Sequence, residues 1–173
     1  MIRNTTKLQK GCWILFIIYI IGLSYFTFFA EALGRGIPET DSAVRNFNLI
    51  PFTEIRRFWV YRKELGLGAF LLNIVGNVVA FMPCGFLLPA ISRRCRRPQG
   101  TLIVGLLISF IIECTQLAFA VGSFDVDDML LNTLGAVAGF YLNRFVHRVR
   151  VKRKMAKRGG RSVVVRQIDP EDG

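Results

Sequence analysis

The sequence predicts an all-α, polytopic membrane helix bundle with four transmembrane helices and a short interfacial helix in the first outer loop. Three observations predict it. The 173 residues are 52% hydrophobic, which is too apolar for an ordinary soluble domain with 16 glycines. The apolar residues gather into four stretches, each near the roughly 20 residues that cross the hydrocarbon core. Basic residues flank alternate ends of these stretches, which assigns each end to one side of the membrane.

The four predicted spans cover residues 12–30, 69–90, 101–121 and 126–146. We interpret the first as a retained span, because three phenylalanines (Phe26, Phe28 and Phe29) crowd the place where a signal-peptide cleavage site would lie. The fourth is the least apolar, because its first turn carries Asp127 and Asp128. In the second, Pro83 and Gly85 predict a loosened or kinked helix.

Basic residues predict a multi-pass protein of the cell membrane with both termini in the cytoplasm. Residues 1–11 carry basic residues and no acid, residues 93–97 contain four arginines, and a long basic run follows the fourth span. The turn at residues 122–128 is purely acidic. The net charge of +11 therefore lies on cytoplasmic flanks, where it contacts anionic headgroups. We expect membrane lipids as partners and no nucleic acid.

The chain divides into a cytoplasmic N-terminus (residues 1–11), one membrane domain (residues 12–148) and a basic cytoplasmic tail (residues 149–173), which we expect to be disordered. In the outer loop, residues 53–63 predict the interfacial helix, with Trp59 and Tyr61 at headgroup depth. The four cysteines have no metal-ligand spacing and are expected as free thiols. We expect no metal and no cofactor.

Polar residues recur at helical spacing on three of the spans and predict a shared cluster. Spacings of three and four place them on one face of each helix, and the predicted topology puts all of them in the outer half of the bilayer. The candidate ligand-binding residues are Asn73, Asn77, Glu113, Gln116, Asp125, Asp127, Asp128 and Asn132, with Asn48, Arg56 and Arg57 at the rim. On the fourth span, Gly135 and Gly139 form a small-xxx-small pair for close helix packing.

A structural and a functional interpretation of this cluster both stay open. Asn and Gln side chains often only join helices, at about 0.6 kcal/mol per bond, and Asp125 is placed to cap the fourth helix. For the amides and Asp125 the structural interpretation is favoured. Glu113 lies about two turns from the end of its span, where we expect no capping role. For Glu113 with Asp128 we favour a functional site, because ionisable residues inside a membrane usually serve function.

Four ordered motifs resemble those of the VanZ-like family of bacterial membrane proteins, over roughly residues 47–142. Residues 48–52 resemble the family's NLxPF element and residues 73–89 its NxxxNxxxFxPxG span. Residues 113–116 and 124–135 resemble its ExxQ and FDxDDxxxNxxG elements. The family is named for an accessory protein of glycopeptide resistance associated with teicoplanin. Many members carry an Arg just before the fourth motif, where this chain has Gly122. If that Arg binds an anionic ligand elsewhere in the family, Arg45, Arg56 or Arg57 would have to substitute for it here, or the ligand of this chain differs.

The resemblance leads to three hypotheses. The first is an envelope protein whose outer-leaflet polar pocket binds a lipid-linked cell-wall precursor or a related amphiphile and modulates susceptibility to glycopeptides. The second is an intramembrane enzyme acting on such a lipid through Glu113 and the three aspartates of residues 125–128, which would share a proton or hold a divalent cation. The third is an oligomeric transporter or assembly scaffold. No catalytic set is recognisable, so we expect binding rather than catalysis.

Overall fold

The computed structural model describes residues 7–32, 47–61, 67–119 and 123–168. In chain order the elements are helix α1 (Lys7–Ala32), strand β1 (Phe47–Asn48), helix α2 (Thr53–Val60) and helix α3 (Leu67–Ile91). A 3₁₀ turn (Arg94–Arg96), helix α4 (Pro98–Ala118), strand β2 (Phe124–Asp125) and helix α5 (Val126–Ile168) complete the order. The prediction of a helical bundle is therefore confirmed.

Three helices of the described part are long and apolar enough to cross a membrane: Gln9–Phe28, Asn73–Ile91 and Pro98–Ala118. They correspond to the first three predicted spans, although α4 ends at Ala118 and not at residue 121. The region predicted as the fourth span forms the first half of α5. Helix α5 is not among the three, so the structure supports a bundle with three helices of this kind, and a fourth span is a proposal.

Helices α3 and α5 share the most extensive interface of the bundle. A Cβ atom added to Gly135 would overlap the carbonyl of Val78, and one added to Gly139 would overlap that of Met82. A Cβ added to Gly85 would overlap the carbonyl of Ala136 from the opposite side. The small residues predicted on the fourth span therefore do let two helix backbones approach closely. We call these three glycines the glycine seam.

Gly85 has a packing role that was not predicted. Helix α3 runs unbroken from Leu67 to Ile91 and contains both Pro83 and Pro89. Gly85 is buried against α5, so its missing side chain allows the two helices to approach closely, and the predicted loosening at Pro83 and Gly85 stays a prediction.

The end of the bundle next to the 3₁₀ turn is joined by side chains that bond to the backbone. Thr101 is fully buried and donates to the carbonyl of Cys95 in the 3₁₀ turn (3.0 Å). Asn143 on α5 donates to the carbonyl of Phe86 on α3 (2.8 Å).

Helix α1 packs on α3, where the Tyr19 hydroxyl donates to the carbonyl of Ala80 (2.8 Å). Much of the rest of its apolar surface is exposed, as expected of a helix that faces lipid.

Helix α5 continues through most of the segment expected to be a disordered tail. It ends at Ile168, so the structure shows no break near residue 149. Arginine, lysine, alanine and methionine, which dominate residues 148–158, are strong helix formers. Extending an existing helix also avoids the cost of nucleating a new one.

Candidate functional site

A short parallel strand pair joins the outer loop to the start of α5. Phe47 pairs with Phe124 and Asn48 with Asp125. The Asn48 side chain donates to Oδ1 of Asp125 (3.0 Å), and the Phe47 and Phe124 rings lie 6.4 Å apart. The NLxPF-like and FDxDD-like motifs, far apart in sequence, thus form one structural unit. Asn48 lies within the cluster and not at its rim.

Asp125 caps α5, as the structural interpretation expected. Its Oδ1 accepts a hydrogen bond from the backbone N–H of Asp127 (2.8 Å), which is one of the donors that a helix N-terminus leaves unpaired. The same oxygen accepts from Asn48. Asp125 is only 8% exposed. The Asp125 carboxylate therefore caps the N-terminus of α5 and also binds the side chain of Asn48 in strand β1.

Asp127 caps a different helix from the one that contains it. Its Oδ1 accepts from the backbone N–H of Phe52, and its Oδ2 accepts from that of Ile55 (3.2 Å). Phe52 is the N-cap residue of α2, and Ile55 lies in its first turn. Asp127 is 1% exposed, so the structure places this predicted pocket residue beneath the start of α2. Both its oxygens hold α2 against the bundle.

Phe52 has an unusual backbone that fits this arrangement. It is the N-cap residue of α2 and has φ 69°, the only positive φ of a non-glycine residue in the described ranges. A left-handed conformation costs an ordinary residue roughly 1–2 kcal/mol and persists where neighbouring contacts require it. Phe52 also has no side-chain oxygen to cap its own helix. The Asp127 carboxylate supplies that cap from another segment.

Glu113 is buried near the C-terminal end of α4, with 2% of its surface exposed. Its Oε2 accepts from the backbone N–H of Asp125 (3.0 Å). The expectation that no capping role is available to Glu113 is therefore wrong, because the side chain reaches the N-terminus of α5 and not that of its own helix. That contact depends on tertiary packing, and spacing along α4 gives no sign of it.

Two further hydrogen bonds join α5 to its neighbouring helices α3 and α4. Asn77 on α3 donates to Oδ1 of Asp128. Asn132 on α5 donates to the hydroxyl of Ser109 on α4 (3.0 Å), and both of these residues are buried. Ser109 lies on the polar face of α4, four residues before Glu113, but was not among the candidate residues. Its helical spacing was the signal that could have identified it.

The remaining candidates lie around this network. Gln116 is buried on α4 and Asn73 is half-buried on α3. On α2, Arg56 is exposed and Arg57 half-buried, while Trp59 and Tyr61 are exposed. Gly122 and Arg45, which bear on the missing family Arg, lie outside the described residues. We use "polar cluster" below for the side chains of Asn48, Asn77, Ser109, Glu113, Asp125, Asp127, Asp128 and Asn132.

A metal site receives no support from the described ranges, in which no three His, Cys, Asp or Glu side chains come together as a group that could hold an ion. Carboxylate oxygens are suitable ligands for a hard cation. Here, however, each acidic residue of the polar cluster accepts at least one hydrogen bond from an N–H group.

Comparison with known proteins gives the family. The family model described as VanZ/LLP1 matches residues 16–147, which is most of the chain and includes every element from β1 to the first half of α5. The chain belongs to the VanZ/LLP1 family. The resemblance noted from the four motifs is thereby confirmed. Family membership and the three long apolar helices make this a membrane protein.

A curated relative supports the same assignment. Protein VanZ of Enterococcus faecium is 29% identical over 99 residues, which are 57% of this chain and 52% of that protein. The chain thus spans about half the length of the curated relative that it matches. No solved structure matches this chain.

Proposed function

We propose that this VanZ-family protein binds a lipid-linked cell-wall precursor, or a related amphiphile, at its polar cluster, and thereby modulates susceptibility to glycopeptide antibiotics such as teicoplanin. The observation that carries the proposal is the burial of the Glu113 carboxylate within a membrane domain, in contact with the start of α5. Ionisable residues in such places are costly and usually serve function.

The hydrogen bonds described above do not by themselves require the charges of Glu113 and Asp128. Glu113 accepts from a backbone N–H, and Asp128 accepts from the amide of Asn77. A Gln or an Asn oxygen would accept the same bonds. The family's teicoplanin association suggests the ligand class, and a carboxylate suits an amine or a proton on that ligand. The helix caps that Asp125 and Asp127 form are sufficient to explain why these two positions carry acidic residues.

The proposal includes a topology of four spans with both termini in the cytoplasm. The first half of α5 would be the fourth span, since it packs along the apolar helix α3 through the glycine seam. A helix of 43 residues is about 65 Å long, roughly twice the hydrocarbon thickness. The basic half of α5 would then extend beyond the membrane on the cytoplasmic side.

Cysteine labelling tests this topology. Single cysteines at Ser42 and Ser123 should react with an impermeant maleimide in intact cells, and one at Ser162 only after lysis. Reaction at Ser162 in intact cells would place the polar cluster on the cytoplasmic side and would rule out an outer-leaflet ligand.

The function itself is tested by removing charge while keeping shape. Glu113→Gln and Asp128→Asn should lower protection against teicoplanin, with vancomycin as the comparison, at membrane abundance equal to that of the unaltered protein. Thr101→Val is a matched control, because Thr101 is equally buried on the same helix but lies at its other end. Full protection by both charge variants would contradict the proposal.

Analysis of copurified lipid then separates ligand binding from other effects of the charge. We expect a lipid-linked precursor to copurify with the unaltered protein and with Thr101→Val, and to be lost from Glu113→Gln. Retention of the same lipid by Glu113→Gln would show that the carboxylate does not bind it. Neither the enzyme nor the transporter hypothesis is favoured by a particular contact among the described residues.

A further inference from the structure

The segment of residues 47–61, which contains β1 and α2, lies outside the helical bundle and covers part of the polar cluster. We call it the outer segment. Described contacts that attach it to the bundle include the two-residue strand pair, the Asn48–Asp125 hydrogen bond and the two bonds from Phe52 and Ile55 to Asp127. All of these contacts are made to residues 124–127.

We propose that the outer segment, which itself contributes Asn48, is a lid over the rest of the polar cluster and that the Asp127 carboxylate is its latch. Release of Asp127 from the N-terminus of α2 would free the lid and expose Asp125 to the outer aqueous phase. The lid rests on the proposed function, because it would control the access of the ligand to the polar cluster.

The first argument is that α2 depends on Asp127 for its N-terminal cap. An isolated helix of eight residues is too short to be stable in water. Its N-cap, Phe52, has no polar side chain and adopts a left-handed backbone conformation. Asp127 binds two backbone donors of the first turn at once. One carboxylate therefore both completes the helix and attaches it to α5.

The second argument is that several apolar side chains of the outer segment do not pack on the bundle. Leu49, Ile50, Phe52, Trp59 and Val60 are each more than half exposed. A region with few buried apolar contacts opens at a lower free energy than the core of the same protein. Half-buried Ile55, the Phe47–Phe124 ring contact and the contact of α2 with α3 also hold the segment, and the bonds to Asp127 add a polar attachment that one substitution removes.

The third argument concerns what lies beneath the segment. Asp125 and Asp127 are 8% and 1% exposed although they lie at the start of a helix, where the chain emerges from the bundle. Asn48 covers Asp125, and the first turn of α2 covers Asp127. Removing the outer segment would therefore take away the side chain that bonds to Asp125 and both backbone donors that bond to Asp127.

Hydrogen exchange of the full-length protein in lipid nanodiscs tests the latch. Asp127→Ala should accelerate amide exchange in residues 52–61 by about tenfold, which corresponds to about 1.4 kcal/mol of lost protection. Asp127→Asn should have a smaller effect, because the carboxamide keeps one acceptor. Thr53→Ala is the control, since Thr53 bonds only within the turn, to the carbonyl of Ile50. It should leave exchange near that of the unaltered protein.

Carboxyl labelling with a water-soluble carbodiimide tests the lid. Asp125 should react severalfold faster in Asp127→Ala than in the unaltered protein or in Thr53→Ala. Unchanged exchange in residues 52–61, or unchanged labelling of Asp125, would overturn the proposal. Acceleration that extends equally through α3 and α4 would also overturn it, because Asp127 would then support the whole bundle. These measurements do not use antibiotic susceptibility, so the lid can fail while the proposed function stands, and the reverse.

Discussion

The glycine seam and the polar cluster connect α5 to its neighbours in opposite ways. At the seam, backbone meets backbone because Gly85, Gly135 and Gly139 carry no side chain. At the cluster, side-chain oxygens reach the backbone donors of other elements, as Glu113 does to Asp125. The seam requires positions that carry no side chain, whereas the cluster requires side-chain oxygens that accept hydrogen bonds. Substitutions at the two places should therefore follow different rules.

The largest expected effect comes from adding one methyl group at the seam. Gly85→Ala and Gly139→Ala should each destabilise the protein by about 1–3 kcal/mol or more, because the new Cβ would overlap a carbonyl of the facing helix. Gly76→Ala on α3 is the control, since a Cβ there meets nothing within 4 Å. Thermal unfolding in detergent would measure the difference. Equal melting temperatures for Gly85→Ala and Gly76→Ala would show that the helices do not approach so closely.

A smaller effect is expected where an acceptor is removed from the cluster. Asp125→Ala should cost about 1 kcal/mol, because α5 loses its N-cap. Asp125→Asn should recover most of that loss, since Asn is as good an N-cap as Asp. The midpoint of thermal unfolding of the two variants checks this. If Asn is as damaging as Ala, the charge of Asp125 matters and the capping account is incomplete.

The smallest effect is expected for the pair between Ser109 and Asn132. A double-mutant cycle with Ser109→Ala and Asn132→Ala should give a coupling energy of about 0.6 kcal/mol, which is the average for interhelical hydrogen bonds in membranes. A coupling near zero would mean that each side chain finds another partner when one is removed. In that case the hydrogen bond between Ser109 and Asn132 would not contribute to the stability of the polar cluster.

Helical spacing was sufficient to predict the two glycines that α5 contributes to the seam and the polar stripes of the cluster. Gly135 and Gly139 are one turn apart, so they must share a face of any helix that contains them. The same reasoning places Ser109 on the face of α4 that carries Glu113, and the structure buries both. Periodicity did not identify what that face meets. The role of Gly85 therefore had to come from the facing helix α5.

The partners of the acids could not be obtained from spacing, because they are backbone groups of distant segments. Asp127 bonds to N–H groups 75 and 72 residues away in sequence, at Phe52 and Ile55. A backbone donor is present at nearly every residue, so no side-chain pattern singles out these two. The helix cap that Asp127 forms was missed for that reason.

The sequence by itself determined the membrane character, the helical bundle, the family and the faces on which polar and small residues lie. These properties follow from composition, periodicity and ordered motifs, which are local or additive along the chain. Only the tertiary structure decided that Asp125 caps one helix while Asp127 caps another, and that the outer segment pairs with the start of α5. Such contacts join residues far apart in the chain, and their energies depend on distances and angles that exist only after the bundle has packed.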